Sequence, residues 1–308
     1  MWDVNRRAFL GGIFGGSLGL LGTNYLVGKY DIGNSVEAML NEWGISTVSA
    51  SNFGHRVLDI EREYLGVEKV PDSCYDALDK IIIGSIKNIR YVESHWDDYK
   101  EDIEEKSRIP LYVIGNVLWR DTRLESEGVY LLSEGLISAK PTRDCDISSM
   151  IYMSVLDELG LSKNCSFVLV HPPAHTLLSY KDEKKDIYWE STGGFIENEI
   201  KERYIKILPK NADFHAAYFA IATYLLEKGE CEPALDAVDK ALGLYDAYPL
   251  TWCLKGIILN YLGKTQESLD SIDFALKLDE MCEDALHYRP IVQYNLDREN
   301  SKNPIFID

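Results

Sequence analysis

Apolar residues recur at helical spacing between Tyr75 and Arg90, where Leu78, Ile81, Ile82, Ile83, Ile86 and Ile89 mark one stripe of a predicted amphipathic helix. The segment His95 to Lys106 continues it with many charges and few apolar positions, which predicts a solvated helix face. Pro110 is expected to end that run. Leu111 to Trp119 then forms a second apolar patch, ahead of Val129-Tyr130-Leu131-Leu132. Further on, Ile147, Met150, Ile151, Val155, Leu156 and Leu159 follow the helical period again. Asp144 is suited to cap that helix, Cys145 falls in its first turn, and Gly160 stands where a left-handed C-terminal cap is wanted. After Gly160 the period shortens. Ser166 to Val170, Thr176 to Tyr180 and Asp186 to Glu190 read as strands separated by Pro172-Pro173 and by the charged run Lys181 to Lys185.

The last third repeats itself. Ala222 and Gly256, Gly229 and Gly263, Ala234 and Ser268, and Ala241 and Ala275 are each separated by 34 residues, the period of a tetratricopeptide helix pair. Tyr218 and Trp252 take the aromatic position of the two copies. The small residues let helices approach closely, and Tyr224 and Tyr261 read as core or groove lining. Cys282 to Asp297 is expected to be a terminal capping helix, kinked or shortened by Pro290.

At the other end, Asn5-Arg6-Arg7-Ala8-Phe9-Leu10-Gly11 precedes a Gly-rich apolar run from Ile13 to Val27 that Lys29 closes. The pattern resembles a twin-arginine export signal, which carries folded proteins across a membrane. As a helix, residues 8–27 would cover about 30 Å, enough to span a bilayer. With no A-x-A site and no lipidated cysteine, the segment is expected to serve as a signal or an uncleaved anchor. Either way the body is expected outside the cytoplasm, exported or periplasmic. A merely buried helix here would instead mean a cytoplasmic protein.

Length and charge narrow the classes. At 308 residues and 46% hydrophobic, the chain has material for two or more packed domains. Its 32 basic residues against 50 acidic ones give net −18, which argues against nucleic acid as a partner. Six scattered cysteines show neither C-x-x-C pairs nor a disulfide framework.

Chemistry concentrates in 46 residues, where Cys145, His175 and Glu190 follow in order. A thiol attacks a carbonyl, an imidazole takes and returns the proton, and a carboxylate orients the imidazole and steadies its charge. A first-turn cysteine faces the positive helix end, which lowers a thiol's pKa, while Asp144 and Asp146 act the other way. If the strands holding His175 and Glu190 pair as a hairpin, the two side chains fall opposite or nearly opposite on one face. Asp186 and Glu183 lie close enough to compete with Glu190, and His171 with His175. A zinc site of His171, His175 and Cys145 or Cys165 would need helical spacing that Pro172-Pro173 forbid. No metal and no cofactor are expected. An oxyanion hole would use the Cys145 amide with Asn116 or Trp119 as candidates for a second donor.

These motifs resemble the transglutaminase-like cysteine hydrolase core, whose bacterial members read D-C-D-[ST]-S, P-G-H and N-W-E-T-x-G, often with tetratricopeptide repeats downstream. Here they read Asp144-Cys145-Asp146-Ile147-Ser148, Pro173-Ala174-His175 and Tyr188-Trp189-Glu190-Ser191-Thr192-Gly193. Ala174 replaces a glycine, and Leu178-Ser179-Tyr180 stands where Val-Arg-Trp is usual. The resemblance implies catalytic Cys145, His175 and Glu190, and acyl transfer from a peptide or amide bond to water or an amine. The expected fold class is α+β: a signal or anchor (1–29), a helical N-terminal region covering the core (31–135), a papain-like core with the Cys-bearing helix on a small antiparallel sheet (136–208), an all-α repeat array with a capping helix (211–297), and a tail (298–308). The expected partners are a protein or peptide substrate and a protein held in the repeat groove, with membrane attachment through residues 8–27. The competing expectation is an inactive scaffold for protein–protein interaction at the cell envelope.

Overall fold

The computed structural model describes residues 47–103, 105–124, 131–137, 142–171, 175–181, 185–197 and 204–302. The signal or anchor segment, Val129-Tyr130, Pro172 to Ala174, Glu183 and the last six residues lie outside these. Among the described residues no helix is long and apolar enough to cross a membrane. The chain divides into two compact units, residues 1–210 and 211–308, and is mixed α+β.

Unit 1 is built around one central helix. Helices α1 (Phe53–Leu65), α2 (Asp72–Ser94), the single turn α3 (Trp96–Tyr99), α4 (Ile109–Asp121) and α5 (Leu132–Ile137) precede α6 (Cys145–Glu158). The stripe read from the sequence is the buried face of α2, with Leu78, Ile81, Ile82, Ile86 and Ile89 inside and Ile83 half-buried. The expected solvated helix over 95–106 is broken after Tyr99: it is one turn followed by irregular backbone. Without an apolar stripe to dock, a charged run has little to hold it helical. Pro110 opens α4 rather than ending a helix, because a first-turn residue needs no amide hydrogen bond.

From Ile147 to Leu156 every residue of α6 is buried. Asn52 caps α1 by accepting the Gly54 N–H (2.9 Å) and donates to the Ser154 carbonyl of α6 (2.9 Å). The Phe53 N–H is taken by Asp157 (2.8 Å), so the exposed donors at the start of α1 are satisfied by the far end of α6. Glu61 of α1 does the same for α5, accepting the N–H groups of Leu132 (2.7 Å) and Ser133 (2.9 Å) while only 1% exposed.

The sheet contains β3 (Cys165–His171), β4 (His175–Lys181), β5 (Asp186–Glu190), β6 (Phe195–Glu197) and β7 (Tyr204–Ile207) in the spatial order β6-β5-β4-β3-β7, antiparallel throughout. A separate two-residue parallel pair joins β1 (Arg123–Leu124) to β2 (Thr142–Arg143), just before α6. One face of the sheet, with Phe167, Leu178, Tyr180 and Trp189, is turned to the helices: Phe53 meets Phe167 at 5.8 Å, and Tyr112 meets Trp189 at 5.0 Å. The other face carries Val168, Val170 and Leu177, with Tyr188 and Ile205 packed on them. β6 and β7 have no counterpart in the sequence reading.

Unit 2 consists of α7 (His215–Glu227), α8 (Cys231–Leu244), α9 (Pro249–Tyr261), α10 (Thr265–Leu278) and α11 (Glu283–Lys302). The 34-residue period recurs in the backbone. α7 and α9 start 34 residues apart, as do α8 and α10, and each pair turns on a glycine at positive φ, Gly229 at 79° and Gly263 at 72°. Gly256 lies where a Cβ would meet Ile272 Cγ1 at 2.6 Å and the Ser268 carbonyl at 3.0 Å, and Ser268 Oγ donates to its carbonyl (2.6 Å). Tyr224 is buried, Tyr218 and Trp252 are half-buried, and Tyr261 is exposed. Pro290 does not stop α11, which continues to Lys302 and takes in residues read as tail. Burial of Ala285 and Val292 on either side of the proline holds both halves to the unit.

Candidate active site

The start of α6 is fixed by its own sequence. Asp144 has extended backbone (φ −125°, ψ −162°), and its carboxylate accepts the Ile147 N–H at 2.8 Å. Cys145 follows as the first helical residue and is half-buried. Its carbonyl accepts from Ser191 Oγ (3.4 Å), and Ser191 also pairs with Ser149 Oγ (2.9 Å). With the Thr176 hydroxyl donating to Asp146, the first turn of α6 is held against both β4 and the end of β5.

The hairpin forms as expected, with a two-residue offset. Leu178 pairs with Trp189, so the register continued by one residue sets Glu190 across from Leu177 rather than His175. Positions 175, 177 and 190 share a face, and the diagonal distance is within reach of long side chains. The contact is made: His175 Nε2 and Glu190 Oε2 are 2.5 Å apart, with 18% and 12% of the side chains exposed. Glu190 Oε1 is held by the Thr192 N–H (3.0 Å) and hydroxyl (2.5 Å). Burial pushes the Glu190 carboxyl up, but the hydrogen bond and charge of His175 and the two Thr192 donors outweigh it and hold the group below its ordinary range. It is the ionised partner of the pair.

The thiol departs from the expectation of a lowered pKa. Burial, then the charges of Asp146 and Asp144, push Cys145 well above its ordinary value, while the Thr176 amide works the other way. The two flanking carboxyls resist ionising together: Asp144 is pushed up to about 7 by burial and by Asp146. Burial also raises Asp146, against a hydrogen bond from Thr176 Oγ1 (2.6 Å) and the charge of His175. The resting sulfur is a neutral thiol.

The other candidates lie elsewhere. Asp186 is exposed at the opposite end of β5, beside Lys181. Cys165 is buried across from Tyr180, away from His175. His171 ends β3 across from Tyr204. Asn116 Nδ2 donates to the Tyr112 carbonyl of its own helix (2.9 Å). Gly193 and Gly194 close the turn after Glu190. Gly194 takes φ +70°, and its Cα approaches Gly115 of α4 so closely that a Cβ on Gly115 would lie 3.2 Å away.

Thr176, Ser191 and Thr192 were not singled out from sequence as parts of the site. Thr192 had a signal, since a hydroxyl residue two positions after a carboxylate commonly folds back onto it. The Asp146–Thr176 bond, thirty residues apart in the chain, had none. No protein-family model, curated protein or solved structure matches the chain.

Proposed function

We propose that this protein is a thiol acyl-transfer enzyme of transglutaminase-like type, acting on a peptide or amide carbonyl through Cys145, His175 and Glu190. The observation that carries the reading is the His175–Glu190 pair, with the Cys145 end of α6 tied to the strands of both residues through Thr176 and Ser191. Glu190 holds the His175 ring through Nε2, and the imidazole takes the thiol proton. The thiolate then adds to the carbonyl carbon, and the imidazolium returns the proton to the departing amine as the C–N bond breaks. The acyl-enzyme passes to water or a second amine, with His175 taking the acceptor's proton. Because the thiol rests neutral, proton removal by His175 is part of the attack rather than a step completed beforehand.

The 34-residue period of unit 2, with paired helices turning on Gly229 and Gly263, supports a tetratricopeptide-type array that recruits a protein or peptide. The twin-arginine pattern of residues 5–11 supports export or tethering at the envelope. The test uses p-nitrophenyl acetate. A burst of p-nitrophenolate equal to the enzyme concentration, lost in Cys145→Ala with the fold intact by circular dichroism, is expected. An equal burst in that variant would overturn the reading and favour a scaffold built on an inactive core.

A further inference from the structure

Asp146 has no part in the mechanism above, yet it is a half-buried carboxylate next in the chain to the nucleophile. Its oxygen accepts the Thr176 hydroxyl at 2.6 Å. Thr176 adjoins His175 on β4. Asp146, next to Cys145 on α6, thus holds the residue next to His175 on β4 through its hydroxyl. The same first turn of α6 is held to the end of β5 by Ser191, so the grip on Thr176 is what ties the nucleophile's helix to the strand of the base itself.

On the reading of Cys145 and His175 as the reacting pair, we propose that Asp146 is a positioning residue: through the Thr176 hydroxyl it fixes the start of α6 against β4, and so fixes the approach of sulfur to imidazole. Misplacing such a pair by about 1 Å costs on the order of 100-fold in rate. The groups that face Asp146 are Asp144 and Cys145 on α6, and His175 and Thr176 on β4, with Glu190 on β5 beyond His175. Asp146 is therefore also a negative charge set next to both reacting groups. Position and charge can be separated by substitution. Thr176→Val removes the tether and keeps the carboxylate. Asp146→Asn keeps an acceptor for the Thr176 hydroxyl and removes the charge.

The experiment measures two rates across pH on the full chain: acylation by p-nitrophenyl acetate, and alkylation of Cys145 by iodoacetamide followed by mass spectrometry. Thr176→Val is expected to lower the plateau acylation rate about 10- to 100-fold, with Thr176→Ser returning most of it. Asp146→Asn is expected to move the alkylation profile to lower pH, so that alkylation at neutral pH is about tenfold faster for every pH step of one by which the profile moves. A wild-type plateau in Thr176→Val overturns the proposal, as does an unmoved alkylation profile in Asp146→Asn. The second variant and the serine rescue decide the matter if Thr176→Val fails to fold. If the parent protein and Cys145→Ala are acylated alike, the underlying acyl-transfer reading has failed instead, and that outcome is seen before any Thr176 or Asp146 variant is compared.

Discussion

Glu61→Gln tests the energetics of unit 1 without reference to its chemistry. Both Glu61 oxygens accept backbone N–H groups at the start of α5, at 2.7 and 2.9 Å, with the residue 1% exposed. Burial raises its carboxyl from 4.5 to about 7, against the opposing hydrogen bonds of Ser133 and Leu132. The unfolded chain gives up this proton near pH 4.5, whereas the folded chain keeps it to about pH 7. Between those limits the folded state binds more protons, so stability falls as pH rises. At ~1.4 kcal/mol per pH unit the fall is about 3 kcal/mol, complete by about pH 7. Glutamine cannot ionise and lacks that slope. It keeps one acceptor and leaves one buried N–H without a partner, a pH-independent cost of about 1–3 kcal/mol. Chemical denaturation of both proteins, followed by circular dichroism and tryptophan fluorescence, should show the variant clearly destabilised at pH 5 and near wild type at pH 8. A variant-minus-parent difference equal at the two pH values would refute the reasoning.

Two further outcomes are expected. Glu190→Gln will turn its carbonyl to the two Thr192 donors and its amide N–H to His175 Nε2, holding the imidazole in a tautomer that blocks proton uptake from the thiol. Burst acylation should fall on the order of 10³-fold or more, and a fall under tenfold would count against Glu190 as the orienting group. Because Glu190 is held below its ordinary range, its stabilisation is present above about pH 4.5 and lost as pH falls through the lower, folded-state value. The parent protein should therefore lose more stability than the variant on acidification. In unit 2, Gly256→Ala drives a methyl to 2.6 Å from Ile272 and should cost about 1–3 kcal/mol in thermal or urea unfolding. Ala222→Gly, at the same place in the first copy, should cost only about 1 kcal/mol through helix propensity; comparable losses would mean that the two copies are packed alike there.

Local signals carried most of what could be read from the chain alone. The stripe of α2, the Asp144 cap, the Gly160 cap and the strands around His175 and Glu190 each depend on residues a few positions apart, and each lies where the pattern put it. What went unread depends on tertiary partners. β6 and β7 are short and lack strong alternation, and they are strands because β5 and β3 offer them edges. α11 passes through Pro290 because both of its halves are docked. The raised thiol pKa follows from desolvation of Cys145 together with the charges of Asp146 and Asp144 beside it, and a helix-terminus argument alone leaves that desolvation out. The diagonal reach of Glu190 to His175 depends on a register that hydrophobic alternation alone does not fix to the residue.

The way α1 is closed sets an order of events during synthesis. Asn52 and Phe53 find their partners on Ser154 and Asp157, Ser154 lying 102 positions after Asn52. At ribosomal speeds of about 5–20 residues per second, the first described helix of the chain waits some 5–20 s before the segment that completes it has been made. Until then α1 has α2 and α5 beside it, while the donors at its start lack the α6 partners that close them. Unit 1 is thus a domain that closes from its far end, with the Cys145 helix as the last large piece its early helices require.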